Sequence, residues 1–494
     1  MITIFTFDNF LKIILSLVII STPITNMPKR FTMPGLGDNL SHYFILVLLF
    51  LVSIKLFISK ESIDKDIKKY FIFLFMWIIL TSLYGAYCYP YYNEVTLNNS
   101  RFYDIYNLLF GKLLPSDFSI KVFLFFKSIR DGFVSVIMPW IFAYTVFYIL
   151  RKEGIKGITF LIYIYIFLGI ILFVYAIPEI MLFKFDMSLG KEILSITNPY
   201  LYDVNSYLGW YPPLIWHDQQ LRSLCVEPAT LAELSIMIVA CFWAAYFKNK
   251  SNFILLVYCL YLILPIMSKS RTAVLICGFM LSQLVFYLKD KSINKKHLLN
   301  VIISSTTSIM LAITSFNMLI NKDNSFIKYY DSNIKTITST TARSNGSRLI
   351  NIKNHLNVIA LKPLLGTGMF YKDLYVRDNM VENALSEPEI YSITRGIEKE
   401  GVFKYSYGNV NHYVFITCSI GLLGLFIYLL PVIYVMFKSL KLGLYKNSIF
   451  ISLLIAINTS LLAMNLGRPS VSFYIAVSMA YLFADYMKNK NPLL

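Results

Sequence analysis

Arginines, a glutamate and a histidine stand at the edges of long apolar stretches in this 494-residue chain. Guanidinium groups bind phosphate oxygens through paired hydrogen bonds, and a carboxylate or an imidazole can accept a proton near neutral pH. Together these groups predict a site that neutralises a phosphate and moves a proton. The residues with these properties are Arg222, Glu227, Arg271, Arg343, Arg348 and His412.

The stretch "LRSLCVEPATLAEL" combines Arg222 with Glu227 and Pro228. An acidic residue at a helix cap and a proline at the first helical position are also ordinary ways to begin a helix. The hairpin "MSKSRTAV" puts Arg271 in the first turn of a helix, where the macrodipole disfavours a cation. One interfacial arginine can simply reach lipid headgroups, but several on one face favour a shared anion site. Glu227 is then predicted to orient Arg222 or Arg271, or to handle a proton, and either role is compatible with a helix cap.

Two further arginines lie in "TTARSNGSRLINIKNH", close to a predicted helix start at Ser347. Such a start with flanking arginines suits a phosphate, although a solvated basic patch has the same composition. In "NVNHYVFITCSIGLLGLF", His412 stands where a long loop re-enters the membrane. Histidine is the side chain best matched to proton transfer near neutral pH, and the alternative is a histidine that shares hydrogen bonds at the interface.

Membrane-spanning helices must position these residues. Hydrophobic residues make up 57% of the chain and charged residues 15%, and apolar stretches of roughly 18 to 25 residues, long enough to cross a bilayer, recur along it. The net charge of +17 lies in short clusters between these stretches, which indicates membrane topology and not nucleic-acid binding. The six cysteines show no metal-ligand spacing. About twelve helices are predicted, near 9–24, 39–59, 70–89, 132–150, 157–183, 228–247, 252–267, 271–288, 298–320, 411–437, 447–466 and 469–487.

The connecting segments alternate in character. Short lysine-rich segments such as "KESIDKDIKK", "KDKSINKKH" and "KNKNPLL" fall at every second boundary, so the positive-inside rule makes their face cytoplasmic, with both termini inside. The opposite face carries loops near 90–131 and 184–227 and a large loop at 321–410, predicted to be a folded cap that contains helices. Residues 1–320 then hold nine helices and residues 411–494 three. Lys269 and Arg468 add charge to the outer face, and segment 118–131 is predicted to lie on it as an amphipathic helix.

One chemistry that uses several arginines, a carboxylate and a histidine at an outer membrane surface, without a metal cluster, is glycosyl transfer from a polyprenyl diphosphate. The arginines neutralise the leaving diphosphate, and His412 or Glu227 takes the proton of the attacking sugar hydroxyl. The aromatic segment 198–218 is predicted either to stack on sugar rings or to form an interfacial belt.

Four motifs in order, "LRSLCVEPATLAELS", "SKSRTAVL", "SRLINIKNHLNVIALKPLLGTGMF" and "NHYVFITCSIGLLGLF", resemble the O-antigen polymerase (Wzy-type) and O-antigen ligase superfamily of bacterial surface-polysaccharide assembly. The resemblance covers roughly residues 215–440. It implies a GT-C-like, all-α polytopic membrane fold with a periplasmic loop over a cavity at the outer leaflet. It also implies a metal-independent, inverting glycosyl transfer that needs no cofactor.

The resemblance also implies roles for individual residues. His412 becomes the candidate base or acceptor-orienting residue and Glu227 a supporting residue, while four arginines become pyrophosphate-binding candidates: Arg222, Arg271, Arg343 and Arg348. Arg343 and Arg348 compete for one family arginine, and Arg348 is preferred because it begins the loop helix. Family members often read N-H-N, whereas Tyr413 follows His412 in this chain.

The leading prediction is a surface-polysaccharide polymerase at the periplasmic face of the bacterial inner membrane. It transfers an undecaprenyl-diphosphate-linked glycan onto another lipid-linked repeat unit. With lipid A–core as the acceptor, the same chemistry makes an O-antigen ligase. A lipid-linked oligosaccharide flippase is less favoured, because transport paths are marked by charges within the spans. The predicted partners are the two lipid-linked glycans, membrane lipids and a co-polymerase that regulates chain length, with no nucleic acid.

Overall fold

The computed structural model describes residues 6–33, 37–95, 104, 108, 116–185, 187–203, 221–268, 270–290, 293–318, 343–401 and 405–490. Its regular structure within these ranges is helical, apart from one isolated bridge between Met33 and Gly37. The helices are α1 (Phe7–Ser21), α2 (Leu40–Ser59), α3 (Lys65–Cys88), α4 (Ser116–Gly132), α5 (Met138–Leu150), α6 (Ile155–Phe185), α7 (Ser188–Leu201), α8 (Pro228–Asn249), α9 (Asn252–Met267), α10 (Arg271–Ser282), α11 (Lys295–Met318), α12 (Arg343–Leu361), α13 (Tyr371–Asp378), α14 (Pro388–Glu400), α15 (His412–Lys441), α16 (Ser448–Ala463) and α17 (Val471–Lys490).

A helix lies at each of the twelve predicted positions, and the chain is an all-helical polytopic membrane protein. Eight segments of the described chain are long and apolar enough to cross a membrane, and α9 and α16 are shorter apolar helices. The eight segments are Leu40–Ser59, Lys65–Cys88, Phe118–Leu150, Ile155–Phe183, Pro228–Asn249, Arg271–Lys289, Lys295–Thr314 and His412–Lys441.

Helix α8 is the centre of the bundle. Within its most apolar window 89% of the residues are buried, against 22% for the peripheral helix α2. It packs against α6, α9, α10 and α16. Because a helix that is apolar all round must be surrounded by other helices, this burial explains why "LSIMIVACFWAAYF" carries no polar face.

Ion pairs gather the lysine-rich ends of the helices at one end of the bundle. Lys12 of α1 pairs with Glu153 after α5 (2.6 Å). Lys152 pairs with Glu61 before α3 (3.4 Å). Lys438 of α15 lies 3.7 Å from Asp485 of α17. The predicted alternation therefore brings these loops together, and we call this side the lysine-rich end and the opposite side the cap end.

Segment 118–131 is helical but is not separate from the next span, and its predicted place on the membrane interface stays a prediction. Helix α4 continues through a π-helical turn (Phe133–Ile137) directly into α5. The buried side chains of Phe123 and Leu124 pack with residues of α12 to α14. Phe118 and Phe126 of the same segment remain exposed.

Helix α15 is broken at Gly421, which has φ 77° and ψ 173°. In a regular helix the amide of Leu422 donates to the carbonyl of Cys418. Here Leu422 N donates to Pro363 O (2.9 Å), and Cys418 O accepts from Thr367 N (3.0 Å). Segment 363–368 thus takes the hydrogen bonds that the helix gives up.

Two more carbonyls at the break receive donors from outside α15. Ser419 O accepts from Gly368 N (2.8 Å), and Ile420 O accepts from Nε1 of Trp77 in α3 (3.0 Å). A backbone carbonyl without a donor is costly inside a membrane protein, so a broken helix persists only where other groups satisfy it. The sequence "PLLGTG" and Trp77 perform that task.

Glycine is required on both sides of this contact. Gly366 has φ +71°, and a Cβ there would lie 2.5 Å from the backbone nitrogen of Gly421. A Cβ at Gly421 would lie 1.9 Å from the carbonyl oxygen of Leu364. Side chains cannot yield here because the obstacles are backbone atoms.

We expect Gly366→Ala to lower the free energy of unfolding by about 2 kcal/mol or more, since it combines left-handed strain with overpacking. Thermal unfolding of the purified protein in detergent measures the effect. The matched control is Gly408→Ala, because no atom outside the residue's own neighbourhood lies within 4 Å of a Cβ there. Equal melting temperatures for the two variants would contradict the assignment.

Candidate active site at the cap end

His412 is held from both ring nitrogens. It is 4% exposed, Asn409 Nδ2 donates to Nδ1 (3.0 Å), and Nε2 bonds to the Tyr428 hydroxyl (3.2 Å). Tyr428 in turn bonds to the hydroxyl of Tyr474 in α17 (2.7 Å). With Nδ1 as an acceptor, Nε2 carries the proton and donates it to Tyr428. The ring is therefore held in one orientation at both nitrogens.

The break at Gly421 makes this contact possible. His412 and Tyr428 are sixteen positions apart, which in a straight helix corresponds to about 24 Å along the axis. Their side chains nevertheless meet at 3.2 Å, so residues 412–420 fold back over the second part of α15. Helix α15 begins at the cap of Asn411, whose side chain accepts from Val414 N (3.1 Å).

An asparagine before His412 replaces the one that the N-H-N pattern places after the histidine. Tyr413 donates its hydroxyl to Leu461 O of α16 (2.7 Å) and so does not serve the ring of His412. Asn409, three residues before His412, supplies the amide instead. The backbone amide of His412 also donates to Met464 O (2.7 Å), which ties α15 to the end of α16.

Two cations converge next to His412 on the ring of Phe415. The Arg468 guanidinium carbon is 5.6 Å and the Lys372 Nζ 4.9 Å from the ring centroid. The ring itself lies nearly parallel to the His412 imidazole, at an angle of 15°. Lys372 pairs with Asp373 (2.7 Å). The charge of Lys372 is thus matched by a carboxylate, whereas Arg468 has no ion pair within the described residues.

Arg468 lies between α16 and α17, and its side chain is exposed. Desolvation by the surrounding protein lowers the pKa of this guanidinium from its usual value, an effect that Asp373 and Tyr474 oppose. The Arg468 side chain is thus accessible to a ligand beside the ring of Phe415.

Arg222 has a different environment. It is 4% exposed, and its Nε lies 3.7 Å from Oε1 of Glu179 in α6. Oε2 of Glu179 accepts from the backbone amides of Arg222 (3.0 Å) and Ser223 (2.9 Å). Burial lowers the pKa of Arg222, and Glu179 opposes that change. A phosphate would reach this arginine only after the loop before α8 had moved, so its binding role remains a prediction.

Glu227 and Pro228 begin α8 as predicted. Glu227 occupies the capping position, although its side chain makes no capping hydrogen bond, and Pro228 is the first residue of the helix. The Glu227 side chain is exposed and lies close enough to Glu233 for their charges to repel. A Cβ at Gly467 would lie 3.8 Å from Glu233 Oε1, so this second carboxylate borders the residue next to Arg468.

The remaining predicted arginines lie on α10 and α12, and α12 begins at Arg343 and not at Ser347, so Arg348 does not begin the loop helix as predicted. Arg271 is half-buried at the first residue of α10. Arg348 is exposed on α12, next to Ser347, which donates to Glu387 Oε2 (3.3 Å). Arg343 is the first residue of α12, and its side chain lies outside the described residues, as do Lys269 and most of segment 198–218. The structure does not assign a ligand to any of them.

Residues 254–429 match the family model described as O-antigen ligase. This match over part of the chain supports the superfamily of O-antigen ligases and polymerases. The matched region contains the break in α15, the 363–368 segment, Arg271 and His412, whereas Arg222, Glu227 and Arg468 lie outside it. The resemblance predicted from the motifs is thereby confirmed. No curated protein matches the chain significantly.

Sequence reasoning missed Glu179 as the partner of Arg222, and it missed Lys372 and Tyr428 as neighbours of His412. Glu179 and Tyr428 lie inside apolar helices and Lys372 inside the cap, far along the chain from their partners. An isolated carboxylate in the run "ILFVYAIPEIMLF" was the one available signal, since a charge within a span needs a partner. Across the described residues no group of three His, Cys, Asp or Glu side chains is placed to hold a metal ion.

The cap contains a second buried histidine, His355, whose Nδ1 bonds to Asn351 O (2.8 Å). Burial, helped by the charge of Lys372, lowers the pKa of His355 to about 4. An unfolded histidine binds a proton near pH 6.5. Between these values the unfolded cap holds more protons than the folded one, so stability rises with pH and is lost as the pH falls toward 4.

We expect the cap to lose up to about 3 kcal/mol of stability between pH 6.5 and pH 4, because a shift of one pKa unit is worth about 1.4 kcal/mol. Protease susceptibility of the cap, followed as a function of pH, measures this loss. His355→Leu removes the titrating group and should flatten that part of the profile. An unchanged profile in His355→Leu would assign the pH dependence to other residues.

Proposed function

We propose that this protein is a glycosyltransferase of surface-polysaccharide assembly and that it works as a polymerase. Its donor is an undecaprenyl-diphosphate-linked glycan, and its acceptor is another lipid-linked repeat unit. The reaction takes place at the cap end, on the periplasmic side of the inner membrane. One observation carries the proposal: a histidine held at both ring nitrogens lies beside two cations on the ring of Phe415.

In the proposed reaction an acceptor hydroxyl attacks the anomeric carbon of the donor. The bond from that carbon to the diphosphate breaks, and its electron pair leaves with the diphosphate. The hydroxyl proton passes to Nδ1 of His412, which gives up the hydrogen bond from Asn409, while Nε2 stays bonded to Tyr428. This attack on the face opposite the leaving group inverts the anomeric centre.

The positive charge that stabilises the leaving diphosphate comes from side chains. Arg468 is exposed beside the ring of Phe415, and Lys372, which is buried and paired with Asp373, lies on the same ring. Arg271 and Arg348 extend this positive charge in the proposal, with Arg343 as the alternative to Arg348 and Arg222 reached after a loop movement. Preorganised donors of this kind stabilise the charge that develops in a transition state without solvent reorganisation.

The ligase reaction is the second candidate, because the matching family model is described as O-antigen ligase. Polymerase and ligase share the donor and differ in the acceptor. Purified protein in liposomes should convert lipid-linked repeat units alone into a ladder of longer chains. If a product forms only when lipid A–core is added, the ligase reaction replaces the polymerase.

The base assignment predicts a large loss of activity in His412→Ala. We expect transfer to fall by at least about 100-fold, the lower range for a positioned general base. His297→Ala is the control, since His297 bonds to Tyr246 and not to a residue of the proposed site. Normal transfer by folded His412→Ala protein would remove His412 from the reaction.

The orienting role of Tyr428 is separately testable. Tyr428→Phe removes the partner of Nε2 and should lower kcat about tenfold, a part of the general-base contribution, with little change in KM. The pH dependence of kcat should also move, because the imidazolium loses a partner that stabilises it. Tyr165→Phe is the matched control, since this equally buried hydroxyl bonds to Ser472 of the same helix α17 (3.1 Å) without contacting His412. Equal pH profiles in both variants would refute the orienting role.

A further inference from the structure

A cavity of about 520 Å³ lies between α3, α5, α15 and α17 on the side away from the cap. Charged side chains of the lysine-rich end surround its mouth, and aromatic and aliphatic side chains form its walls. Its volume lies within the range of ligand-binding pockets. The charged residues at the mouth are Asp64, Asp66, Lys438, Asp485 and Lys488.

The cavity extends deep into the bundle. Its lining includes Trp140, ten residues before Leu150 at the lysine-rich end of α5. Ten residues of helix span about 15 Å, and the hydrocarbon core of a bilayer is about 30 Å thick. The floor of the cavity therefore lies near the middle of the membrane.

The charges at the mouth favour water as the content of this cavity. Five charged side chains lie there, and transfer of charged groups out of water is costly, so a hydrocarbon chain at the mouth is disfavoured. A volume of 520 Å³ accommodates on the order of 15 water molecules. The Trp140 Nε1 and the Tyr70 hydroxyl are buried beside the cavity without a hydrogen-bond partner among the described residues.

Two side chains in succession, Trp140 and Tyr428, separate this cavity from His412. Trp140 lines the cavity and packs against Tyr428 and Tyr474, with ring centroids 5.6 and 5.1 Å apart. Tyr428 is the residue that bonds to His412. The packed rings of Trp140, Tyr428 and Tyr474 thus lie between the cavity and His412.

We propose that the cavity is a water-filled vestibule open to the lysine-rich face. The layer of Trp140, Tyr428 and Tyr474 seals it from the cap end, so this layer forms the permeability barrier of the bundle at that point. The proposal does not depend on the proposed glycosyl transfer. It predicts water access from one face and a leak when the seal is opened.

Thiol labelling tests the water access. Ala143 lines the cavity, so Ala143→Cys should react with a charged, membrane-impermeant methanethiosulfonate added to the lysine-rich face. Ala240→Cys is the matched control, because Ala240 is buried in α8 at a similar depth without lining the cavity. Protein with only its native cysteines gives the background. We expect Ala143→Cys to react at least tenfold faster than Ala240→Cys.

Equal, slow labelling of the two positions would overturn the proposal, since it would mean that hydrocarbon or closed packing fills the cavity. This measurement requires no donor or acceptor. Its failure is therefore distinguishable from a failure of the proposed function.

Proton permeability of proteoliposomes tests the seal. We expect Trp140→Ala to raise the proton leak at least severalfold above wild type, and Trp140→Phe to keep the bundle sealed because an aromatic ring remains. Trp243→Ala is the control for loss of a buried indole, since Trp243 is 1% exposed in α8 and does not line the cavity. A tight, folded Trp140→Ala protein would overturn the seal, and a Trp243→Ala leak of equal size would show that it is not specific to this layer.

Discussion

The cap-end site depends on an exchange of backbone hydrogen bonds between segment 363–368 and the break in α15. The amide of Leu422 turns away from its own helix to Pro363, and the carbonyl of Cys418 accepts from Thr367. Because a helix inside a membrane cannot leave these groups unsatisfied, the break and the inserted segment require each other. Neither can form in its observed geometry without the other.

This exchange couples the cap to the catalytic histidine proposed above. Residues 412–420 turn back because α15 breaks, and only this turn brings His412 to Tyr428. Segment 363–368 joins α12 to α13, and α13 carries Lys372. The loop that stabilises the break therefore also positions one of the two cations near Phe415. The contact between segment 363–368 and α15 therefore sets the relative positions of His412 and Lys372, which lie forty residues apart in the sequence.

The helices were predictable because apolar length is a local property, readable over some twenty residues at a time. The alternation of lysine-rich segments likewise predicted which helix ends meet, as the Lys12–Glu153 and Lys152–Glu61 pairs illustrate.

The break in α15 was not predictable from "CSIGLLGLF", because a glycine in an apolar run is compatible with a continuous helix. Its cause lies in "PLLGTG", more than fifty residues away, and no local pattern connects the two. The partner of Arg222 was missed for the same reason, since Glu179 belongs to a distant part of the chain.

The two arginines also differ in what an anion would gain by binding them. Arg222 is already matched by Glu179, which accepts two backbone amides as well, and removing one member of such a buried pair leaves an uncompensated charge. An arriving phosphate would have to compete with that carboxylate. Arg468 has no ion pair within the described part of the chain, and its side chain is exposed. In the proposed reaction a diphosphate would therefore meet Arg468 without displacing a carboxylate, whereas at Arg222 it would have to displace Glu179.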